Sequence, residues 1–65
     1  MKHLENINNA INSSGLKKQF IAKKLDIKYD TLRRKLKGES DFTINEVLTL
    51  TKLLNINIME VFKNE

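Results

Sequence analysis

The sequence has no cysteine and no proline, and its 65 residues include one histidine and two glycines. Disulfides are therefore excluded, and the single His3 leaves no set of ligands for a structural zinc ion. Because glycine stands only at positions 15 and 38, the composition favours helices joined by short turns. A chain of this length buries only about 60% of its unfolded surface, so helix packing or a partner chain has to supply the stability.

Long apolar runs are also missing. No run approaches the roughly 18 residues of a membrane span, and residues 1–6 lack the apolar core of a signal peptide. No nucleophile–base pair, metal-ligand set or phosphate-binding loop stands out, and the chain is too short to enclose a pocket. We therefore expect one domain over residues 1–65, located in the cytoplasm. We expect no enzymatic activity, no metal, no cofactor, no small-molecule ligand and no membrane contact.

The charge that is present is unevenly distributed. Residues 16–38 hold nine of the twelve basic residues and two of the eight acidic ones, so this stretch carries a net charge of +7. The other residues include three basic and six acidic ones, a net charge of −3. A basic segment on an acidic body is the pattern expected of a nucleic-acid-binding protein, although a solvated lysine face has the same composition.

Apolar residues recur at helical spacing in the N-terminal half of the chain. They predict three helices, at about residues 3–12, 18–25 and 28–37. Leu4, Ile7 and Ile11 share one face of the first helix. Gly15 and Asp26 follow the first and second helices, and both residue types tolerate a left-handed turn.

Two further helices have recognisable start signals. Thr43 and Glu46 fit a capping box, so a fourth helix is expected from there to about Leu54. Asn57 can cap a short fifth helix in the same way. The large apolar residues expected in the core include Phe20, Leu50, Leu54 and Phe62.

The second and third predicted helices are the most informative pair. The third has only Leu32 and Leu36 to bury, so most of its surface is expected to be exposed. A short helix, a tight turn and an exposed basic helix suit the major groove of DNA, where the second helix lies against base edges. Ala22 is small enough for the point where the two helices cross, and Asp26 suits the turn.

The segment Leu16 to Ile27 resembles the first half of the helix-turn-helix of phage repressors and Cro proteins. Tyr29 to Gly38 resembles its recognition helix and closing glycine, and residues 42–62 resemble the family's last two helices. The resemblance covers about residues 4–62. It implies an all-α, compact five-helix, lambda-repressor-like domain with the helix-turn-helix at about 17–38. It also implies a phage or bacterial transcriptional regulator, repressor-like or Cro-like, that binds double-stranded DNA by sequence and lies on the nucleoid.

The chain departs from the family pattern at the helix starts and in the turn. Lys17 and Lys28 stand where a hydroxyl N-cap is usual, and loss of a cap costs about 1 kcal/mol. Lys18 replaces a frequent glutamine, Asp26 the usual turn glycine, and Lys35 an apolar or aromatic residue. Most of these changes add positive charge, which favours phosphate contact at the expense of helix stability.

The resemblance assigns exposed residues of the third helix to DNA. The guanidinium groups of Arg33 and Arg34 match guanine O6 and N7, although Arg33 can equally reach a phosphate. Asp30 can accept a hydrogen bond from cytosine N4. The expected base contacts are Tyr29, Asp30, Arg33 and Arg34, and the expected phosphate contacts are Lys18, Lys28, Lys35 and Lys37. The simpler interpretations are a half-buried ring for Tyr29, a first-turn acid favoured by the helix dipole for Asp30, and solvated arginines.

A homodimer on DNA is also expected, because one recognition helix reads too few base pairs to single out a genomic site. The C-terminal apolar residues outnumber what a short helix needs to dock. The expected dimer contact consists of Ile56, Ile58, Met59 and Phe62. The alternative is that these four residues complete the core.

Two other functions remain to be weighed against DNA binding. A protein-binding module on the same fold, such as an antirepressor that engages another regulator, would not need nine basic residues around the motif. A basic amphipathic helix at a membrane would need apolar residues that the core already requires.

Overall fold

The computed structural model describes residues 3–63 of the chain and contains, within them, five helices and no strand. The helices are α1 (Leu4–Ser14), α2 (Lys18–Lys24), α3 (Tyr29–Leu36), α4 (Ile44–Leu54) and α5 (Ile58–Phe62). The expectation of an all-helical, five-helix domain is confirmed.

The apolar stripes of the helices meet in one core. Side chains of α1 to α4 fill its centre, and the largest fully buried ones are Ile7, Ile21, Leu32, Val47 and Leu50. α1 packs against α3, α4 and α5, while α2 packs against α3 and α4. The radius of gyration is 10.6 Å, close to the value of about 11 Å expected for a compact domain of this length.

The turn between α2 and α3 is closed by backbone hydrogen bonds around a left-handed residue. Asp26 has a φ of 58°, as the sequence predicted. Its N–H donates to the carbonyl of Lys23 at 3.1 Å, and the N–H of Ile27 donates to the carbonyl of Ala22 at 3.0 Å. This pair of bonds is the Schellman arrangement, which satisfies carbonyls at a helix end. The turn therefore forms without the usual glycine, and α3 starts immediately after it.

The helix starts differ in how well they are capped. At α4 the Thr43 side chain accepts from the N–H of Glu46 at 3.1 Å, and the Glu46 carboxylate accepts from the N–H of Thr43 at 2.9 Å, so the predicted capping box is confirmed. Asn57 caps α5 by accepting from the N–H of Met59 at 2.9 Å. Lys17 and Lys28 make no side-chain capping bond to α2 and α3, as expected from their side chains.

Asparagine side chains of α1 hold the ends of two other helices. Asn8 Nδ2 donates to the carbonyl of Leu36, the last residue of α3, at 3.0 Å. Asn6 Nδ2 donates to the carbonyls of Val61 and Lys63 at the end of α5, at 2.9 and 3.2 Å. These bonds satisfy helix-end carbonyls that have no partner within their own helices.

Two of the residues expected in the core lie outside it. Phe20 is 42% exposed and Phe62 is 38% exposed, so the prediction for both was wrong. On α2 the buried face is taken by Ile21 and Ala22, which leaves the Phe20 ring at the surface beneath Lys24 Nζ, 5.4 Å from the ring centroid. Leu50 is buried as predicted, and Leu54 is partly buried against the core.

Candidate nucleic-acid interface

α3 is the helix whose exposed surface carries most of the predicted site. It buries Leu32, Lys35 and Leu36. Leu32 and Leu36 lie one turn apart and fix the helix against the core. The remaining surface carries Asp30 and Arg34, which are exposed, and Tyr29 and Arg33, which are about half exposed.

Three cations lie around a shallow concavity between the first and third helices and the start of α2. Lys18 of α2, Arg33 of α3 and Lys37 just beyond α3 line it together with Asn8, Tyr29 and Leu36. We call this concavity, of about 230 Å³, the basic cleft. It brings together residues predicted separately as base and phosphate contacts, and it adds Asn8, which the sequence did not indicate.

Asp30 lies between the two arginines of α3. Its Oδ1 accepts a hydrogen bond from Arg33 Nη1 at 3.2 Å, and its Oδ2 lies 3.1 Å from Arg34 Nε. The side chains of Arg33, Arg34 and Asp30 are 42%, 65% and 57% exposed. Three of the four predicted base-contacting residues thus form one surface cluster with a net charge of +1.

Lys35 does not lie with the other predicted phosphate contacts, and its assignment is corrected. Its side chain is 11% exposed, and its Nζ lies 2.8 Å from Glu46 Oε1 and 2.9 Å from the carbonyl oxygen of Asp41. The ammonium also lies 5.8 Å from the centre of the Phe42 ring. Because these partners turn the ammonium toward α4, Lys35 joins α3 to α4 and is not available to DNA.

Glu46 responds electrostatically to this arrangement. Partial burial acts to raise its pKa, but the hydrogen bonds from Lys35 and Thr43 and the positive charge of Lys35 outweigh burial. The pKa of Glu46 therefore lies below its usual value. One carboxylate oxygen, Oε1, accepts from both the Lys35 ammonium and the Thr43 N–H.

The other predicted phosphate contacts are free to meet a ligand. Lys18, Lys28 and Lys37 are all exposed. Lys28 stands directly before α3, and Lys18 is the first residue of α2. Both lie at helix N-termini, where unpaired backbone N–H groups favour anions.

The four residues predicted to form a dimer contact divide into two pairs. Ile56 and Ile58 are partly buried and pack against the core. Met59 is 66% exposed and Phe62 is 38% exposed, with the Phe62 ring edge-on to His3 at 5.1 Å between centroids. Two residues of α4, Ile44 and Leu48, are also exposed, by 69% and 40%.

Among residues 3–63, no cluster of three or more histidine, cysteine or acidic side chains could hold a metal ion. None of the helices there is long and apolar enough to cross a membrane. Comparisons of the chain with protein-family models, with curated proteins and with solved structures gave no match.

Proposed function

We propose that the chain is a transcriptional regulator that binds double-stranded DNA by sequence, with α2, the turn and α3 as a helix-turn-helix. The observation that carries the proposal is the surface of α3. This helix buries only three of its eight residues, and its exposed part adjoins the basic cleft. A helix that packs against the core on one face and carries cationic side chains on the other has the shape and charge needed to enter a major groove.

The proposed contacts divide by chemistry. Arg34 is proposed as the main base contact. Its side chain is more exposed than that of Arg33, and its planar guanidinium matches guanine O6 and N7. Tyr29 and Arg33 line the basic cleft and are proposed to contact the edge of the same site. Lys18, Lys28 and Lys37 are proposed as phosphate contacts, which position the protein without reading sequence.

We propose that two protomers bind a two-fold symmetric site. An α3 of eight residues reads only a few base pairs, whereas two copies about 34–36 Å apart would read successive major grooves on one face of the duplex. Met59 and Phe62 are the exposed apolar residues near the chain's C-terminal end that are proposed to meet in the dimer. With this function the protein would act in the cytoplasm, on the nucleoid.

The deciding experiment is selection of bound sequences from random duplex DNA, followed by salt titration on the selected site. A symmetric consensus is expected. If about three to five phosphates are neutralised per protomer, the slope of log affinity against log salt should be about −2.7 to −4.5. No enrichment and no salt dependence would refute DNA binding and favour the protein-binding module.

Single substitutions assign the contacts. Arg34→Ala should relax the preference at one position of each half-site, at a cost of about 1–3 kcal/mol. Lys18→Ala should weaken binding to all duplexes by the same factor. Lys52→Ala, an exposed change on α4, is the control and should leave affinity unchanged. If Arg34→Ala lowers affinity uniformly across sequences, Arg34 contacts a phosphate and not a base.

A further inference from the structure

The carboxylate of Asp30 interacts with both arginines of α3, through Oδ1 to Arg33 and Oδ2 to Arg34. We propose that Asp30 is a positioning residue, which holds the two guanidinium groups together and thereby increases the discrimination between specific and unrelated DNA. This inference rests on the proposed DNA-binding function. It replaces the expectation that Asp30 itself accepts a hydrogen bond from cytosine.

The geometry follows from helical spacing. Neighbouring residues on a helix project about 100° apart, so the side chains of Arg33 and Arg34 leave α3 in different directions. Asp30 stands three residues before one and four residues before the other, the two spacings that bring side chains together on a helix. One carboxylate can therefore restrain both guanidinium groups on the same side of α3.

The same carboxylate changes what the arginines can do with DNA. While they are paired with Asp30, their positive charge is partly neutralised, and Asp30 repels the phosphates of any duplex. The pairs are exposed and therefore weak, so a better acceptor can replace them. Guanine offers two acceptors to one arginine fork, whereas a duplex without guanine at the matching position leaves the arginines mainly phosphates to contact. Asp30 therefore weakens binding to unrelated DNA more than binding to a site with guanine at the matching position.

A purely structural role for Asp30 makes a different prediction. Asp30 is the acidic residue in the first turn of α3, where a negative charge stabilises the helix dipole. Loss of that effect would lower the stability of the fold and reduce binding to every duplex by the same factor. The ratio of affinities for selected and unrelated duplexes is therefore the readout that a structural role would not move.

Asp30→Asn is the test variant, and Asp26→Asn is its matched control. Both remove one negative charge from the same basic segment, and asparagine tolerates the left-handed backbone of position 26. We expect Asp30→Asn to bind unrelated duplex about 2- to 20-fold more tightly at low salt, the range for releasing two exposed ion pairs. Its ratio of specific to unrelated affinity should fall, while Asp26→Asn should raise both affinities equally. Asp30→Glu keeps a carboxylate near both arginines and should restore most of the ratio.

A second measurement tests, in the absence of DNA, whether Asp30 restrains the two arginine side chains. In the free protein, ¹⁵N relaxation of the arginine Nε–H groups should show larger motions of Arg33 and Arg34 in Asp30→Asn than in Asp26→Asn. Equal affinity ratios for the two variants, with a wild-type protein that does prefer its selected site, would overturn the inference alone. A wild-type protein without any sequence preference would overturn the proposed function as well.

Discussion

At the scale of single residues, the ammonium of Lys35 lies between the last turn of α3 and the first turn of α4. It contacts a carboxylate oxygen, a backbone carbonyl oxygen and the Phe42 ring. Removing one partner of such a pair leaves the other without compensation, which costs more than the pair itself contributes. Lys35 and Glu46 are therefore expected to affect stability rather than DNA binding.

Lys35 and Lys37 provide a direct comparison, because they stand two residues apart in the chain and have opposite burial. Lys37→Met should reduce the magnitude of the salt slope by about 0.9, the value for one phosphate contact. Lys35→Met should leave the slope unchanged and lower the free energy of unfolding by roughly 1–3 kcal/mol. Fluorescence anisotropy with labelled duplex and urea unfolding measure the two effects. A change in slope on loss of Lys35 would contradict the structural role given to it.

Glu46 makes stability depend on pH in a defined direction. Its pKa in the folded protein lies below the ordinary 4.5, so its stabilising effect is complete above pH 4.5. The effect is lost as the pH falls through the lowered pKa. Glu46→Gln should therefore unfold more easily than the wild type at pH 7, by roughly 1–3 kcal/mol, and the difference should shrink under acid.

Urea unfolding at a series of pH values from 7 to 3 measures this difference. Glu60→Gln is the control, because it removes an exposed carboxylate whose only described ion pair is with Lys63 at the surface. It should change the stability little at any pH. A difference between wild type and Glu46→Gln that stays constant with pH would show that the charge of Glu46 is not involved.

At the scale of secondary structure, the α4 capping box is expected to be the most sensitive helix start. Thr43→Ala removes the acceptor for the Glu46 N–H and should lower the free energy of unfolding by about 0.5–2 kcal/mol. Thr49→Ala, an exposed change inside α4, should be neutral or slightly stabilising because alanine favours helix. Thermal unfolding compares them, and equal midpoints for both variants would count against the cap.

The helix starts and turns could be predicted because their causes are local. Thr43 and Glu46 are three residues apart, and the left-handed turn at Asp26 needs only its own backbone. The exposure of Phe20 could not be predicted in the same way. Phe20, Ile21 and Ala22 are consecutive apolar residues, and only two of the three are buried. The packing of α2 against α3 and α4 decides which of these residues are buried.

In the candidate site, contacts within one helix were predictable from the sequence, and contacts between helices were not. The spacing of Asp30, Arg33 and Arg34 is enough by itself to predict both ion pairs, because residues three and four apart on a helix are neighbours. The pairing of Lys35 with Glu46 joins residues eleven apart across two helices. No local pattern indicates it, because it depends on where the segment between α3 and α4 places the two helices.

At the scale of the whole molecule, the proposed dimer can be tested with two equally exposed apolar residues. Met59 on α5 is 66% exposed and Ile44 on α4 is 69% exposed. Met59→Glu should prevent two protomers from binding a palindromic duplex cooperatively, because a charge would be buried in the contact. Ile44→Glu should leave cooperativity intact. Sedimentation of protein–duplex mixtures counts the protomers, and one protein per saturated palindrome in the wild type would reject the dimer.

The hydrogen bonds of Asn6 have a topological consequence. They hold the start of α1 beside the end of α5, where the His3 and Phe62 rings are also in contact. A short flexible linker from residue 63 to residue 3 would therefore close the chain into a ring. The ring could be reopened at Gly15, because α1 and α2 do not pack against each other in the described part of the chain.

Such a circular permutant would begin with α2 and end with α1, and every helix contact of the original order would remain available. Exposed loops and nearby ends are the conditions under which permutation is tolerated. We expect it to unfold cooperatively and to keep the amide chemical shifts of α3. In this permutant the two helices proposed to meet DNA would be the first to leave the ribosome.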